Sequence, residues 1–146
     1  SNRLLSIIAV HGLNGHPENT WRHNDGHFWL TESLVDSLKP HSVSIWTYGY
    51  DASRFFRKSS STVRIIAETF LRFLSGRANF LTSKTIIFIG HSLGGLVIKK
   101  AILLAKNNYK DRYPDLYPSI YGAVFLGTPH QGSALANYGT NLMRLF

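Results

Sequence analysis

The apolar positions of this 146-residue chain fall alternately into short β-branched runs and stretches with helical spacing. Leu4 to Val10 is a nearly continuous apolar run closed by His11-Gly12, which reads as a buried strand. Leu30, Leu34, Val35 and Leu38 recur at helical spacing, and Pro40 stops that helix. Val43 to Thr47 is a second strand, ended by Tyr48-Gly49. Val63, Ile66, Phe70, Phe73 and Leu74 form one face of a second helix, with Gly76 just past its end. Thr85 to Ile89 is a third strand. The helix from Leu93 to about Ala105 is apolar on nearly all sides, as expected for one packed centrally against a sheet. Gly122 to Leu126 is a fourth strand, and Leu135, Tyr138, Leu142 and Leu145 mark a last helix.

Strands alternating with helices predict an α/β fold of three layers, α/β/α, around a mostly parallel sheet with right-handed crossovers. With the second strand outside the first, and the third on the first strand's other side, the spatial order is second, first, third, fourth. The topological switch point then lies between strands one and three, where sheets of this kind bind ligands. Two loops meet there. One is His11-Gly12-Leu13-Asn14-Gly15, after strand one; the other is Gly90-His91-Ser92-Leu93-Gly94, after strand three.

The second loop carries G-x-S-x-G between a strand and a helix. Such a turn is tight and strained, and it lifts a serine oxygen above the sheet at a helix N-terminus that favours developing negative charge. Ser92 is therefore the candidate nucleophile. Reading it only as a helix N-cap explains neither the flanking glycines nor the matching first loop.

Bulk properties narrow the picture. The chain is long enough for one domain, 1–146, and its 44% hydrophobic residues suffice for a core. No run approaches the roughly 20 apolar residues of a membrane-spanning helix, and no signal-peptide pattern is present. Cysteine is absent, which excludes disulfides and thiolate zinc sites. The interval from His23 to His27 suits a metal, but no nearby ligand pair completes a set, so neither metal nor cofactor is expected. Sixteen Lys and Arg against eight Asp and Glu give a formal charge of +8. The excess fits a domain followed by more acidic parts of a longer chain. It also suits peripheral contact with an anionic membrane, for which Arg54-Phe55-Phe56-Arg57-Lys58 is the densest basic stretch. Nucleic acid is the poorer match. A P-loop is excluded because Gly90 to Gly95 is followed by Leu96-Val97.

Four stretches together carry a family resemblance. They are His11-Gly12-Leu13-Asn14-Gly15-His16, Thr47-Tyr48-Gly49-Tyr50-Asp51, Gly90-His91-Ser92-Leu93-Gly94-Gly95, and Gly127-Thr128-Pro129-His130-Gln131-Gly132-Ser133. In that order the chain resembles the α/β-hydrolases of the lipase-like serine esterase branch. That branch includes GPI inositol-deacylases, phospholipid-remodelling serine hydrolases, and the N-terminal hydrolase domains of fungal NACHT or ankyrin-repeat receptors. The resemblance implies Ser92 as catalytic nucleophile, with the backbone N–H groups of Leu13 and Leu93 as the oxyanion hole. His11, Gly12, Gly90, His91, Gly94 and His130 would shape the elbow and pocket. His11 would orient the oxyanion loop, and His130 would line the pocket rather than act as base. Trp21, Phe28 and Trp29 would line an acyl site or pack in the core.

The triad in such a fold runs serine, acid, histidine. After Ser92 the carboxylates are Asp111 and Asp115, beyond a helix roughly 20 Å long, and no histidine follows His130. The family places acid and histidine after two further strands. The chain is thus expected to be the N-terminal, nucleophile-bearing part of a longer hydrolase, inactive alone and acting in full on a lipid or other carboxylic ester. The other expectation is a catalytically inactive, hydrolase-like ligand-recognition domain of a larger receptor.

Overall fold

The computed structural model describes residues 4–52, 61–77, 85–108 and 110–131. Its centre is a four-stranded sheet of β1 (Leu5–Val10), β2 (Val43–Tyr48), β3 (Thr85–His91) and β4 (Ile120–Leu126). The order is β2-β1-β3-β4, and every neighbouring pair is parallel. This is the mostly parallel α/β sheet that the hydrophobic pattern predicts, in the strand order supposed for it.

Strand β1 lies inside the sheet and is buried from Ser6 to Val10, which is why its sequence is almost continuously apolar. Its side chains alternate between faces. Ile8 and Val10 join Ile86 and Phe88 of β3 in the larger core. Helices α2 (Ser61–Ser75) and α3 (Leu93–Asn107) supply Phe70, Leu71, Leu74, Val97, Ile98 and Ala101 to that same core. Ile7, Ala9 and Ile89 face the opposite way, onto Trp21 and Leu30. Beyond α3 a short helix α4 (Leu116–Ser119) leads into β4, which begins earlier than its sequence pattern indicates. No described helix is long and apolar enough to cross a membrane.

The first predicted helix takes a different form. Leu30–Leu34 is a π-helical turn that passes into a short α1 (Val35–Ser37). The Leu34 N–H reaches back five residues to Trp29 O at 2.8 Å. Leu30, Leu34 and Leu38 are spaced by four, more than the about 3.6 residues of an α-turn. A wider turn keeps all three on the second core cluster, where Leu30 is fully buried and the other two half-buried. Trp21 settles its own alternatives: it sits in this core at 2% exposure, with Phe28 and Trp29 packed around it. The predicted helix through Leu135 and Leu145, and the basic stretch Arg54 to Lys58, lie outside the described residues.

Phe70 on α2 is fully buried, with ring centroids 4.6 Å from Tyr48 and 5.6 Å from Phe88. Phe70→Ala is expected to cost about 3–5 kcal/mol of folding stability, read as a lowered denaturation midpoint in urea.

Candidate active site

Strand β3 ends at His91 and α3 begins at Leu93, so Ser92 alone makes the turn. Its backbone is at φ 56°, ψ −124°, in a region that a residue with a Cβ avoids. Such a conformation costs about 1–3 kcal/mol and persists only where the surroundings enforce it. Here the Ser92 N–H donates to Leu126 O of β4 at 2.9 Å, and the Gly95 N–H donates to Ser92 O at 3.1 Å. Ser92 stands at the N-cap position of α3 but makes no side-chain cap bond. Its Oγ is buried and has no hydrogen-bond partner among the described residues. The plain N-cap reading therefore does not account for this serine.

The first loop lies directly against the turn, because Val10 and Gly90 are paired across β1 and β3. A Cβ on Gly12 would stand 2.6 Å from Ser92 Cβ and 2.9 Å from Ser92 Oγ. One on Gly94 would collide with the carbonyl oxygens of Val10 and His11. Gly90 is packed as tightly on the backbone of Gly95. Leu13 and Leu93 are both buried and meet in one small apolar cluster with Ala52 and half-buried Tyr50. Leu93 is the first residue of α3, so its N–H has no intrahelical acceptor.

His11 is 1% exposed and both ring nitrogens are engaged. Nδ1 lies 2.9 Å from Gly12 O, and Nε2 lies 3.2 Å from the Tyr50 backbone N. A carbonyl on one side and an N–H on the other fix the neutral Nδ1–H tautomer. The Tyr50 hydroxyl donates to His11 O at 2.8 Å, and the two rings stack at 4.4 Å. Burial, the largest influence, lowers the His11 pKa; the Gly12 hydrogen bond opposes it, and the charges of His16 and His91 add to the lowering.

No other described histidine is hydrogen-bonded to Ser92 Oγ. His91 is exposed, with its ring edge-on to Trp21 at 6.4 Å, and partial desolvation lowers its pKa. His130 is exposed, edge-on to Phe125 at 5.1 Å, with Nδ1 3.4 Å from Lys99 Nζ two turns along α3. His16 Nδ1 accepts from the backbone of Glu18 and Asn19. His23 pairs with Asp25 at 3.1 Å and His27 with Glu32 at 2.6 Å, so each faces its own nearby carboxylate. Asp111 and Asp115 are exposed beyond the far end of α3. Thr128 closes over the first turn of α3: a Cβ on Gly95 would fall on its side chain, and its Oγ1 is buried without a partner among the described residues. Tyr50 is the residue to which the sequence assigned no task. The available signal was its place two residues beyond β2, at the same sheet edge as His11.

His11 binds a proton less readily in the folded chain than in the unfolded one, and His91 acts in the same direction. Their contribution to stability is complete above the ordinary histidine value of 6.5 and is lost as pH falls through the lowered folded value. Urea midpoints are expected to be lower at pH 5 than at pH 8, with a shallower pH slope in His11→Gln.

The family model described as "Putative serine esterase (DUF676)" matches residues 2–145. The chain is 30% identical over 162 residues to Protein SERAC1 of Mus musculus, 27% over 157 to that of Bos taurus, and 26% over 162 to that of Homo sapiens. Each similarity covers 95% of this chain but 24% of the relative, so the chain spans about a quarter of the length of the curated relatives it matches. These similarities support a hydrolase-like function for an α/β domain built around a serine turn. On the extent of the family match, the chain belongs to this serine esterase family.

Proposed function

We propose that the chain is the nucleophile-bearing part of a serine carboxylic-ester hydrolase that acts on a lipid or other ester. One observation carries the reading: Ser92 is held at positive φ at the mouth of α3, with its buried Oγ spared from capping the helix. Ser92 Oγ attacks the ester carbonyl carbon and gives its proton to a general base. The carbonyl oxygen becomes an oxyanion between the Leu13 and Leu93 N–H groups, and α3 adds the favourable field of its N-terminus. Collapse expels the alcohol, which takes the proton back from the base. Water then cleaves the acyl-enzyme by the same route and releases the acid.

The base is proposed to come from outside this segment, together with its acid partner. Two facts support that: His11 has both nitrogens engaged, and the relatives are about four times as long. The formal charge of +8 supports peripheral contact with an anionic membrane, which would suit a lipid ester. A second reading, recognition of a ligand without turnover, draws on the lack of a hydrogen-bond partner for Ser92 Oγ among the described residues.

A fluorophosphonate probe separates them. The full-length protein is expected to be labelled, and Ser92→Ala to lose all labelling. A folded full-length protein that stays unlabelled would overturn the hydrolase reading in favour of recognition. Labelling of residues 1–146 alone would show that the base lies within this segment.

A further inference from the structure

We infer that Tyr50 is a positioning residue for the oxyanion hole, acting through His11 on the peptide between Gly12 and Leu13. The inference rests on the proposed roles of Ser92 and Leu13, and it adds a residue from the segment after β2 to a site otherwise built from the segments after β1 and β3.

The geometry is a chain of directed bonds. Strands β1 and β2 are parallel with Val10 opposite Tyr48, so Tyr50 and His11 leave the sheet side by side. Tyr50 holds His11 by three contacts: its backbone N–H to Nε2, its hydroxyl to the His11 carbonyl, and its ring stacked on the imidazole with 7° between planes. The imidazole so held must present Nδ1–H to Gly12 O, 2.9 Å away. The Gly15 N–H donates to the same oxygen at 3.1 Å, closing a turn in which Asn14 takes φ 53°.

Two donors on one side of the Gly12 carbonyl fix the plane of the peptide that follows. In a trans peptide the next N–H points opposite to the carbonyl. The Leu13 N–H is thereby turned away from His11 and Gly15. Without the clamp, rotation of this one peptide would replace the N–H with a carbonyl oxygen and leave the oxyanion facing a negative dipole. Burial raises the Tyr50 phenol well above its ordinary pKa, so it is protonated and a donor at neutral pH. Gly12 allows the loop to lie against Ser92 but cannot choose which way the peptide faces; the clamp makes that choice.

The test uses the full-length protein with p-nitrophenyl butyrate as substrate. Tyr50→Phe keeps the ring and the backbone donor and removes only the hydroxyl bond to His11 O. It is expected to lower kcat about 3–10-fold, the scale of one hydrogen bond, with KM unchanged and with the loss persisting when the assay is run well below the Tm of both proteins. Tyr50→Ala also removes the stack and is expected to approach the loss of one oxyanion donor, about 100-fold or more in kcat. His11→Asn, which can still offer an N–H to Gly12 O, is expected to retain more activity than His11→Leu. Wild-type kcat in Tyr50→Phe would overturn the inference, as would a loss confined to KM or one that disappears when the assay is run well below Tm. If Tyr50→Ala does not fold, Tyr50→Phe decides alone. A wild type that neither hydrolyses nor reacts with fluorophosphonate would overturn the reading of Ser92 itself. A reactive wild type with an unaffected Tyr50→Phe overturns only the clamp.

Discussion

No methyl group fits between the loop after β1 and the turn that carries Ser92. Gly12 lies on the serine side chain, and Gly94 lies on the carbonyl oxygens of Val10 and His11. This close approach is possible only because β1 and β3 are neighbours in register, with Val10 opposite Gly90. It brings the start of α3 flush with the sheet edge and leaves Ser92 no relaxed backbone conformation to adopt. Strain at one residue is thus the local expression of packing among three backbone segments.

Around that contact the protein uses two kinds of adhesive. Beneath the site, Leu13, Leu93 and Ala52 form an apolar cluster that brings loop and helix together without fixing orientation. Beside it, the His11–Tyr50 pair supplies directional bonds that fix rotation. Apolar packing sets distance and hydrogen bonds set facing. The division also explains why a histidine so near Ser92 is buried and neutral: a charged ring would place a donor at Nε2 against the Tyr50 N–H.

The four strands and the long helices were legible in the sequence because each strand is an apolar run and each long helix a periodic one. Right-handed parallel crossovers leave few arrangements of four strands, and the order supposed from them is the one observed. The serine turn was legible for a similar reason, since its glycines and its strand-to-helix context are local. The spacing of Leu30, Leu34 and Leu38 announces a helix but not its type, because a spacing of four suits an α-turn nearly as well as the wider π-turn found at Leu30–Leu34. The tie from Tyr50 to His11 crosses 39 positions and leaves no periodic trace. Trp21 was ambiguous for a different reason: an indole near a site has the same sequence signature whether it meets a ligand or the core. Its burial against Ile7, Ala9 and Ile89 is a property of the sheet face above which it folds.

The pairing of Val10 with Gly90 also governs when the site can exist. The two residues lie far apart in the chain, and joining them closes a long loop before any contact rewards it. Parallel strands cannot be joined by a tight hairpin, so the pairing of β1 with β3 is a long-range closure across β2 and α2. Until then Ser92 is an ordinary serine in a flexible glycine-rich segment, free of the left-handed backbone that the assembled sheet imposes. The strained turn at Ser92 is therefore a product of long-range assembly and not of its local sequence alone.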